Sequence, residues 1–156
     1  MTHAEATELI AQTELIAAAK AGNLDQIQAI FAANPQMAEI LNSLTPKTGE
    51  VTPQRVAAYS RHLPVLNYYL SQGVEPDLFM ACALGQVEKV DAYLKIYPKE
   101  VNAKGAHGVP LMNHAGHPEM VELLLHHGAD PTLAIIQLAW SGRVDLLKVA
   151  HAHGGL

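Results

Sequence analysis

Residues 116–131 read Gly116-His117-Pro118-Glu119-Met120-Val121-Glu122-Leu123-Leu124-Leu125-His126-His127-Gly128-Ala129-Asp130-Pro131, and this stretch predicts a helix with both ends marked. His117 can occupy the N-cap and Pro118 the first helical position, because proline has the φ angle that a helix needs there. Gly128 can end the helix in the left-handed conformation, and Asp130-Pro131 can begin the next one. The stretch therefore predicts two helices joined by a turn of a few residues.

The apolar residues of this helix are too many for a helix that stands alone in water. Val121, Leu124 and Leu125 fall on one face, and Met120 and Leu123 lie beside it. A stripe of this width has to be covered by neighbouring helices. The pattern therefore indicates a fold in which helices pack against one another.

The composition also favours an all-α fold. The chain has 156 residues, of which 49% are apolar but only 5% aromatic. Alanine and leucine dominate, and they suit closely packed helices better than strands. This length is enough for one domain or a short repeat array with a sizeable core.

Charge and cysteine content limit the expected partners and compartment. The net charge is -5 and the ten lysines and arginines are scattered, so we expect neither nucleic acid nor a membrane as a partner. Cys82 is the only cysteine, which excludes an internal disulfide, and we expect it to be a small buried residue. Glu5 and Glu8 lie where a signal peptide would be basic and then apolar. These features predict a cytoplasmic protein.

A helix that ends in glycine occurs three times. Each copy has an aliphatic residue seven positions before the glycine: Leu15 before Gly22, Leu78 before Gly85 and Ile135 before Gly142. A second helix follows, with an acidic residue three positions after each glycine, where negative charge complements the helix dipole: Asp25, Glu88 and Asp145. Two degenerate units begin near Thr52 and Val109, which makes five helix pairs.

These patterns resemble the ankyrin repeat. Residues 116–130 match the family's Gly-His-x-Glu-Val-Val-x-Leu-Leu-Leu-x-x-Gly-Ala-Asp pattern almost position by position, and Thr52-Pro53 and Pro110-Leu111 resemble its Thr-Pro-Leu-His opening. The resemblance implies an all-α solenoid of about five helix pairs in a single domain, 1–156. Its units are approximately 13–41, 52–75, 76–98, 109–129 and 130–155. It also implies a non-enzymatic module that binds another protein and needs no cofactor.

Spacing between equivalent positions predicts where hairpin fingers can project. The steps Leu15 to Gln54 and Leu78 to Leu111 are 39 and 33 residues, whereas Gln54 to Leu78 and Leu111 to Ile135 are 24 each. An ankyrin repeat of about 33 residues includes a finger, so the short steps have no room for one. We therefore expect fingers only within residues 34–51 and 97–109.

Two regions depart from the repeat pattern. Leu111 to Gly116 is two residues shorter than the equivalent segments, and Val109 cannot cap a helix through its side chain. This predicts a clipped or distorted inner helix. At the N-terminus, Thr2 and Glu5 can form a capping box, and residues 2–12 are predicted to be an extra helix. It is either a separate cap or continuous with the first inner helix.

Histidine is the one reactive residue type that is overrepresented. Seven of the nine histidines lie from His107 onward. His126, His127, His151 and His153, near the ends of the last two outer helices, are the candidates for a zinc or nickel site, although no cysteine or carboxylate shares the expected spacing. The alternative, which we favour, is that these histidines interact with the negative ends of helices.

The resemblance implies a partner site on the concave face and the finger tips. In ankyrin arrays the last inner-helix residues before the glycine are exposed there. The candidate partner-binding residues are Lys20, Tyr59, Ser60, Leu84, Lys104, His107, Trp140 and Ser141. Trp140 has an alternative role, in which it packs against the neighbouring repeat.

Two other functions remain open, and an enzyme is not expected. The chain has no nucleophile elbow, phosphate-binding glycine loop or His-Glu-x-x-His motif. The alternatives to partner binding are metal binding by the C-terminal histidines and weak self-association through the last outer helix, where Leu146, Leu147 and Val149 leave an incomplete cap.

Overall fold

The computed structural model describes residues 1–140 and 142–154. In chain order its α-helices are α1 (His3–Ala21), α2 (Leu24–Ala33), α3 (Met37–Ser43), α4 (Pro53–Ser60), α5 (Leu63–Ser71), α6 (Leu78–Ala83), α7 (Val87–Ile96), α8 (Pro118–His126), α9 (Pro131–Trp140) and α10 (Val144–Ala152). Short 3₁₀ helices span Pro98–Asn102, Ala106–Gly108 and Leu111–His114. Apart from an isolated bridge between Lys104 and Pro110, the described ranges contain no β-structure.

The helices form a serial array of pairs. The inner helices contact one another in the order α1, α4, α6, 3₁₀ helix Leu111–His114 and α9. Their outer partners are α2, α5, α7, α8 and α10, and contacts join α2 to α5, α7 to α8 and α8 to α10. This arrangement confirms the predicted all-α solenoid. The boundaries of the repeat units stay a prediction.

The N-terminal helix is continuous with the first inner helix. Thr2 Oγ1 accepts a hydrogen bond from the Glu5 backbone N–H at 3.2 Å, and the Thr2 N–H donates to Glu5 Oε2 at 2.6 Å. The predicted capping box is thus present. The predicted extra helix over residues 2–12 is not a separate element, because α1 runs unbroken to Ala21.

The stretch that predicts the fold forms α8 and the start of α9. Met120, Val121 and Leu124 are fully buried, whereas Leu123 and Leu125 are half-buried. Gly128 has a φ of +88°, and the Ala129 N–H after it donates to the Leu124 carbonyl at 2.9 Å, which ends α8. Asp130 Oδ1 accepts from the Thr132 N–H at 2.8 Å as α9 begins at Pro131. Both predicted helix ends are confirmed.

Histidine side chains pack over the glycines of preceding repeats. His117 is at the N-cap of α8, but its side chain makes no capping hydrogen bond. Its ring lies over Gly85, so that a Cβ on that glycine would come within 2.8 Å of Cδ2. His62 lies in the same way over Gly22, where a Cβ would meet its Nδ1 at 2.8 Å. These contacts link consecutive repeats at the turn between inner and outer helix.

The two long connectors lie side by side. Glu50 donates through its N–H to the Lys47 carbonyl at 3.1 Å in the first, and Gly105 donates to Val109 at 2.9 Å in the second. The Gly49 N–H donates to the Lys104 carbonyl at 3.2 Å and so joins them. We call residues 44–52 the first finger and residues 103–110 the second finger. The short connectors, residues 73–77 and 128–130, turn directly into the next inner helix.

The fourth inner helix is distorted, as its sequence predicts. Only Leu111–His114 is helical, and its form is 3₁₀ rather than α. Pro110 precedes it without a side-chain capping hydrogen bond, and Ala115 is already extended. The two missing residues leave too little chain for a second turn before Gly116.

None of the helices formed by the described residues combines the length and the apolar composition needed to cross a lipid bilayer.

Replacing Gly85 by alanine is expected to destabilise the fold more than replacing Gly142 by alanine. The two glycines have nearly equal φ angles, +72° and +69°, so each alanine variant should lose about 1 kcal/mol from the left-handed conformation. No described atom lies within 4 Å of a Cβ at position 142, whereas at position 85 the His117 ring must move. We expect about 2 kcal/mol or more for Gly85→Ala in urea unfolding.

The His117→Ala background provides the control. There the costs of the two glycine substitutions should become similar, because the ring that clashes is gone. Equal costs in the unmodified background would contradict a packing role for His117.

Candidate partner-binding site

The predicted partner-binding residues differ in exposure. Lys20, Lys104 and His107 are exposed, and Ser60 and Leu84 are half-buried. Tyr59 is 44% exposed and Trp140 is 87% exposed. Ser141 lies outside the described residues. Two large aromatic side chains are therefore available at the surface, one at the end of α4 and one at the end of α9.

Tyr59 contacts the second finger. Its ring centroid lies 6.3 Å from that of His107 and 6.2 Å from that of His114, both in edge-on geometries. Tyr59 belongs to the last turn of α4, whereas His107 is in the second finger. The structure thus brings together an inner-helix residue and a finger residue that are distant in sequence.

His107 is held in the left-handed region, with a φ of +58°. A residue with a side chain is uncommon there, and the conformation has to be imposed by its surroundings. The finger supplies them, because the Gly108 N–H donates to the Gly105 carbonyl at 3.1 Å and the Gly105 N–H donates to Val109 at 2.9 Å. This tight turn presents the exposed His107 ring beside Tyr59.

His114 supports this surface from below, and sequence reasoning missed it. The ring is fully buried, lies 5.0 Å from the Phe79 ring, and has Nδ1 3.1 Å from the Pro110 carbonyl oxygen. Burial lowers the pKa of His114 to about 4, and the nearby positive charges of Arg61 and Arg55 act in the same direction. His114 is therefore neutral near pH 7, when Nδ1 can donate to Pro110.

Arg55 attaches the first finger to α4. Its Nη1 donates to the Lys47 carbonyl at 2.6 Å and to the Glu50 carbonyl at 3.3 Å, and its guanidinium lies 5.0 Å from the centre of the Phe79 ring. The sequence did mark this position as unusual, because Gln54-Arg55 stands where the ankyrin pattern has Leu-His. The role of Arg55 could not be predicted from this mismatch, because it depends on where the folded first finger places the Lys47 and Glu50 carbonyl oxygens.

Trp140 does not pack against the neighbouring repeat. Its exposure of 87% excludes the alternative in which this side chain belongs to the core. It lies at the last position of α9, two repeats further along the chain than Leu84. The side chain is thus free to contact another molecule.

Two of the histidines predicted as candidates for a metal site, His126 and His127, have contacts that do not form such a site. His127 Nε2 lies 2.8 Å from Asp91 Oδ1, which links α8 to α7, and the His126 ring is 5.8 Å from the His127 ring. In the portions of the chain that the structure describes, no three His, Cys, Asp or Glu side chains group closely enough to hold a metal ion. Metal binding at His126, His127, His151 and His153 therefore gains no geometric support.

Cys82 is a core residue with a protonated thiol. It is fully buried in α6, its Sγ lies 3.7 Å from the Leu111 carbonyl oxygen, and burial raises its pKa to about 12. A nucleophilic cysteine requires an accessible thiolate. The environment agrees with the prediction of a small buried residue.

Comparison of the sequence with known proteins shows which family the chain belongs to. The family described as Ankyrin repeat matches residues 109–135, which include the 3₁₀ helix Leu111–His114 and α8. The chain is also 36% identical over 93 residues to "Cyclin-dependent kinase 4 inhibitor B" from Bos taurus, across 53% of this chain and 70% of that relative. The chain belongs to the ankyrin repeat family.

The ankyrin array brings α4 and the second finger together at the surface around Tyr59. Membership of the family supports a role as a protein–protein interaction module. In this ankyrin protein the second finger and α4 form one continuous surface around Tyr59. This surface presents the Tyr59 ring and the exposed His107 imidazole, and the second finger also carries the exposed Lys104.

The stability of the protein should fall in acid because of His114. Its folded pKa of about 4 lies below the unfolded value of about 6.5. The folded state therefore binds fewer protons, so the contribution is complete above pH 6.5 and is lost as the pH falls toward 4. Relative to a His114→Gln variant, we expect an additional loss of about 2 kcal/mol between pH 7 and pH 5, measured by urea unfolding.

Gln is the control because its amide can also donate to the Pro110 carbonyl, while it does not titrate. All other titrating groups are shared, so their effects cancel in the comparison. If the free energy of unfolding changed with pH in the same way for both proteins, the buried neutral state of His114 would be contradicted.

Proposed function

We propose that this ankyrin array binds a protein partner through its concave side and two fingers, with Tyr59 and Trp140 as the main contacts. Lys20, Ser60, Leu84, Lys104, His107 and Ser141 would surround them. The observation that supports this proposal most directly is the contact of Tyr59 with His107. It joins inner helix and finger into one surface while leaving 44% of the tyrosine exposed.

We expect Tyr59 and Trp140 to contribute most of the binding energy because they are exposed aromatic side chains. Tyrosine and tryptophan bury a large area on binding while losing few rotamers, and they are frequent at interface hot spots. Tyr59 is already fixed by the His107 and His114 rings, so ordering it on binding costs little additional entropy. Trp140 can bury most of its surface against a partner because it is almost fully exposed.

The first class of partner to test is a protein kinase. The name of the bovine relative states that it inhibits a cyclin-dependent kinase, and the shared region covers most of that protein. The proposal for this chain is a non-enzymatic binding role in the cytoplasm, with no nucleic acid or membrane partner and no cofactor. The net charge of -5 and the scattered basic residues agree with it.

Single substitutions Tyr59→Ala and Trp140→Ala should each weaken capture of the partner about tenfold or more. A truncated hot-spot aromatic commonly costs more than about 1.4 kcal/mol, which corresponds to that factor. The measurement is affinity capture from the native host, followed by titration of the captured protein against each variant. Circular dichroism should show unchanged helicity.

Leu63→Ala is the control. Leu63 is 45% exposed, close to the value for Tyr59, and begins α5, an outer helix, so apolar surface is lost away from the concave side. Affinity that falls equally with Leu63→Ala, or that persists in both test variants, would contradict the proposed site.

A further inference from the structure

A polar cavity lies at the base of the first finger, outside the surface around Tyr59. It has a volume of about 400 Å³ and lies between the end of α3, the first finger, α4 and the connector that leads into α6. Tyr93 of α7 and Glu100 of the following 3₁₀ helix also line it. Three consecutive repeats therefore contribute to its walls.

Buried polar groups in its wall lack partners. Gln54 is only 7% exposed, and its Nε2 donates to the Leu41 carbonyl at 2.7 Å, but its Oε1 has no hydrogen-bond partner. Arg55 Nε is likewise buried without a hydrogen bond, 3.7 Å from Asp77 Oδ2. A buried acceptor without a donor is costly, so a ligand that donates hydrogen bonds would be stabilising at Gln54.

The cavity carries an excess of negative charge. Its lining includes the carboxylates of Glu75, Asp77 and Glu100, and among the described lining residues Arg55 alone is cationic. The guanidinium of Arg55 is already engaged by the Lys47 and Glu50 carbonyl oxygens and the Phe79 ring. Arg55 pairs with Asp77 at 3.7 Å, but its one positive charge cannot balance three carboxylates, so the remaining negative charge favours a further cation.

Asp77 is the carboxylate best placed for such a cation. Its side chain is 35% exposed, so it can be reached from the cavity, and its Oδ1 accepts from the Met80 N–H at 2.8 Å. Burial raises the pKa of Asp77, against the opposing effects of the Met80 hydrogen bond and the Arg55 charge. A cation close to the Asp77 carboxylate would therefore stabilise its ionised form.

The aromatic side chain of Tyr93 lines the same cavity as the carboxylates. Tyr93 is 39% exposed and stacks against Tyr97, with ring centroids 4.9 Å apart. Burial first, and then the negative charges of Glu100 and Asp77, raise the pKa of Tyr93. The ring and the carboxylates therefore share one space, and cations bind favourably against aromatic faces.

We propose that this cavity receives a lysine or arginine side chain of the protein partner. The cationic group donates hydrogen bonds to the Asp77 carboxylate and Gln54 Oε1, and the aliphatic stem packs against Tyr93. The identity of the occupant as a partner side chain rests on the proposed function. The preference for a cation follows from the cavity itself.

An organic cation fits better than a metal ion or an anion. Within the described residues no three carboxylate or other ligating side chains group for a metal ion, so the negative groups are spread around the wall. An extended side chain can meet such separated groups, whereas a metal ion needs them within about 2.5 Å of one point. An anion would be repelled by the three carboxylates.

A chain of ring contacts connects the wall of the cavity to Tyr59. Arg55 lies over the Phe79 ring, Phe79 is 5.0 Å from His114, and His114 is 6.2 Å from Tyr59. Phe79 and His114 therefore lie between Arg55 and Tyr59. A partner seated against Tyr59 and the fingers would reach the cavity with a long basic side chain that passes around the first finger.

The first test uses small probes and needs no partner. The full ¹⁵N-labelled chain is titrated with N-acetyl-arginine amide and N-acetyl-lysine amide to roughly 50 mM, because a single side chain binds weakly. We expect saturable chemical-shift changes at the backbone amides of Gln54 and Met80. N-acetyl-glutamate amide and magnesium chloride serve as the anionic and metal probes. No cation-dependent shift, or equal shifts with either of these, would overturn the inference.

Asp77→Asn is the variant that isolates the charge. Asparagine caps helices as well as aspartate does, so the hydrogen bond to Met80 is retained while the negative charge is lost. Affinity for the cationic probes should fall about fivefold to tenfold. Asp130→Asn is the control, since Asp130 also accepts a hydrogen bond from the first turn of an inner helix but is not part of the cavity.

The partner itself provides the last measurement. Asp77→Asn should weaken capture of the partner, while Asp130→Asn should leave it unchanged. If the Tyr59 and Trp140 variants lose the partner but Asp77→Asn retains it fully, the proposed function stands and this inference fails. If the aromatic variants bind normally, the proposed site fails separately, and the probe titration still decides whether the cavity prefers cations.

Discussion

The structure depends on apolar helix faces that no single helix pair can cover. In α8 the buried residues Met120, Val121 and Leu124 form one broad apolar face, and α7 and α10 are among the elements that pack against this helix. The same requirement applies to each pair in turn, and the result is a stack. The close approach also needs small residues and glycines at the turns, where His62 and His117 bridge consecutive repeats.

Polar anchoring of the fingers is the second constraint, and it links fold to function. Arg55 is buried at the start of α4 and ties the first finger to the helical stack, while the Gly49 N–H joins that finger to the second. Within residues 1–140 and 142–154 the first and second fingers meet beside α4. Under the proposed function, the exposed aromatic side chains next to them supply most of the binding energy for a partner.

Prediction from sequence succeeded where a property depends on neighbours along the chain. The capping box at Thr2 and Glu5, the end of α8 at Gly128 and the distortion at Leu111–His114 were all predictable, because caps, left-handed glycines and helix length are set by local spacing. It was less successful with histidines. His114 and His117 are three residues apart, yet one is buried beside Phe79 and the other covers Gly85 in the preceding repeat.

The sequence by itself therefore determined the all-α character, the N-terminal capping box and the end of α8, and its resemblance to the ankyrin family implied the pairing of the helices. Only the tertiary structure decided that Tyr59 meets His107, that Trp140 is exposed, and that Gln54, Asp77 and Tyr93 surround one cavity. The physical reason is the separation along the chain of the residues that interact. Helix formation depends on contacts within four residues, whereas these sites join side chains from different repeats, whose distances follow from how the pairs stack.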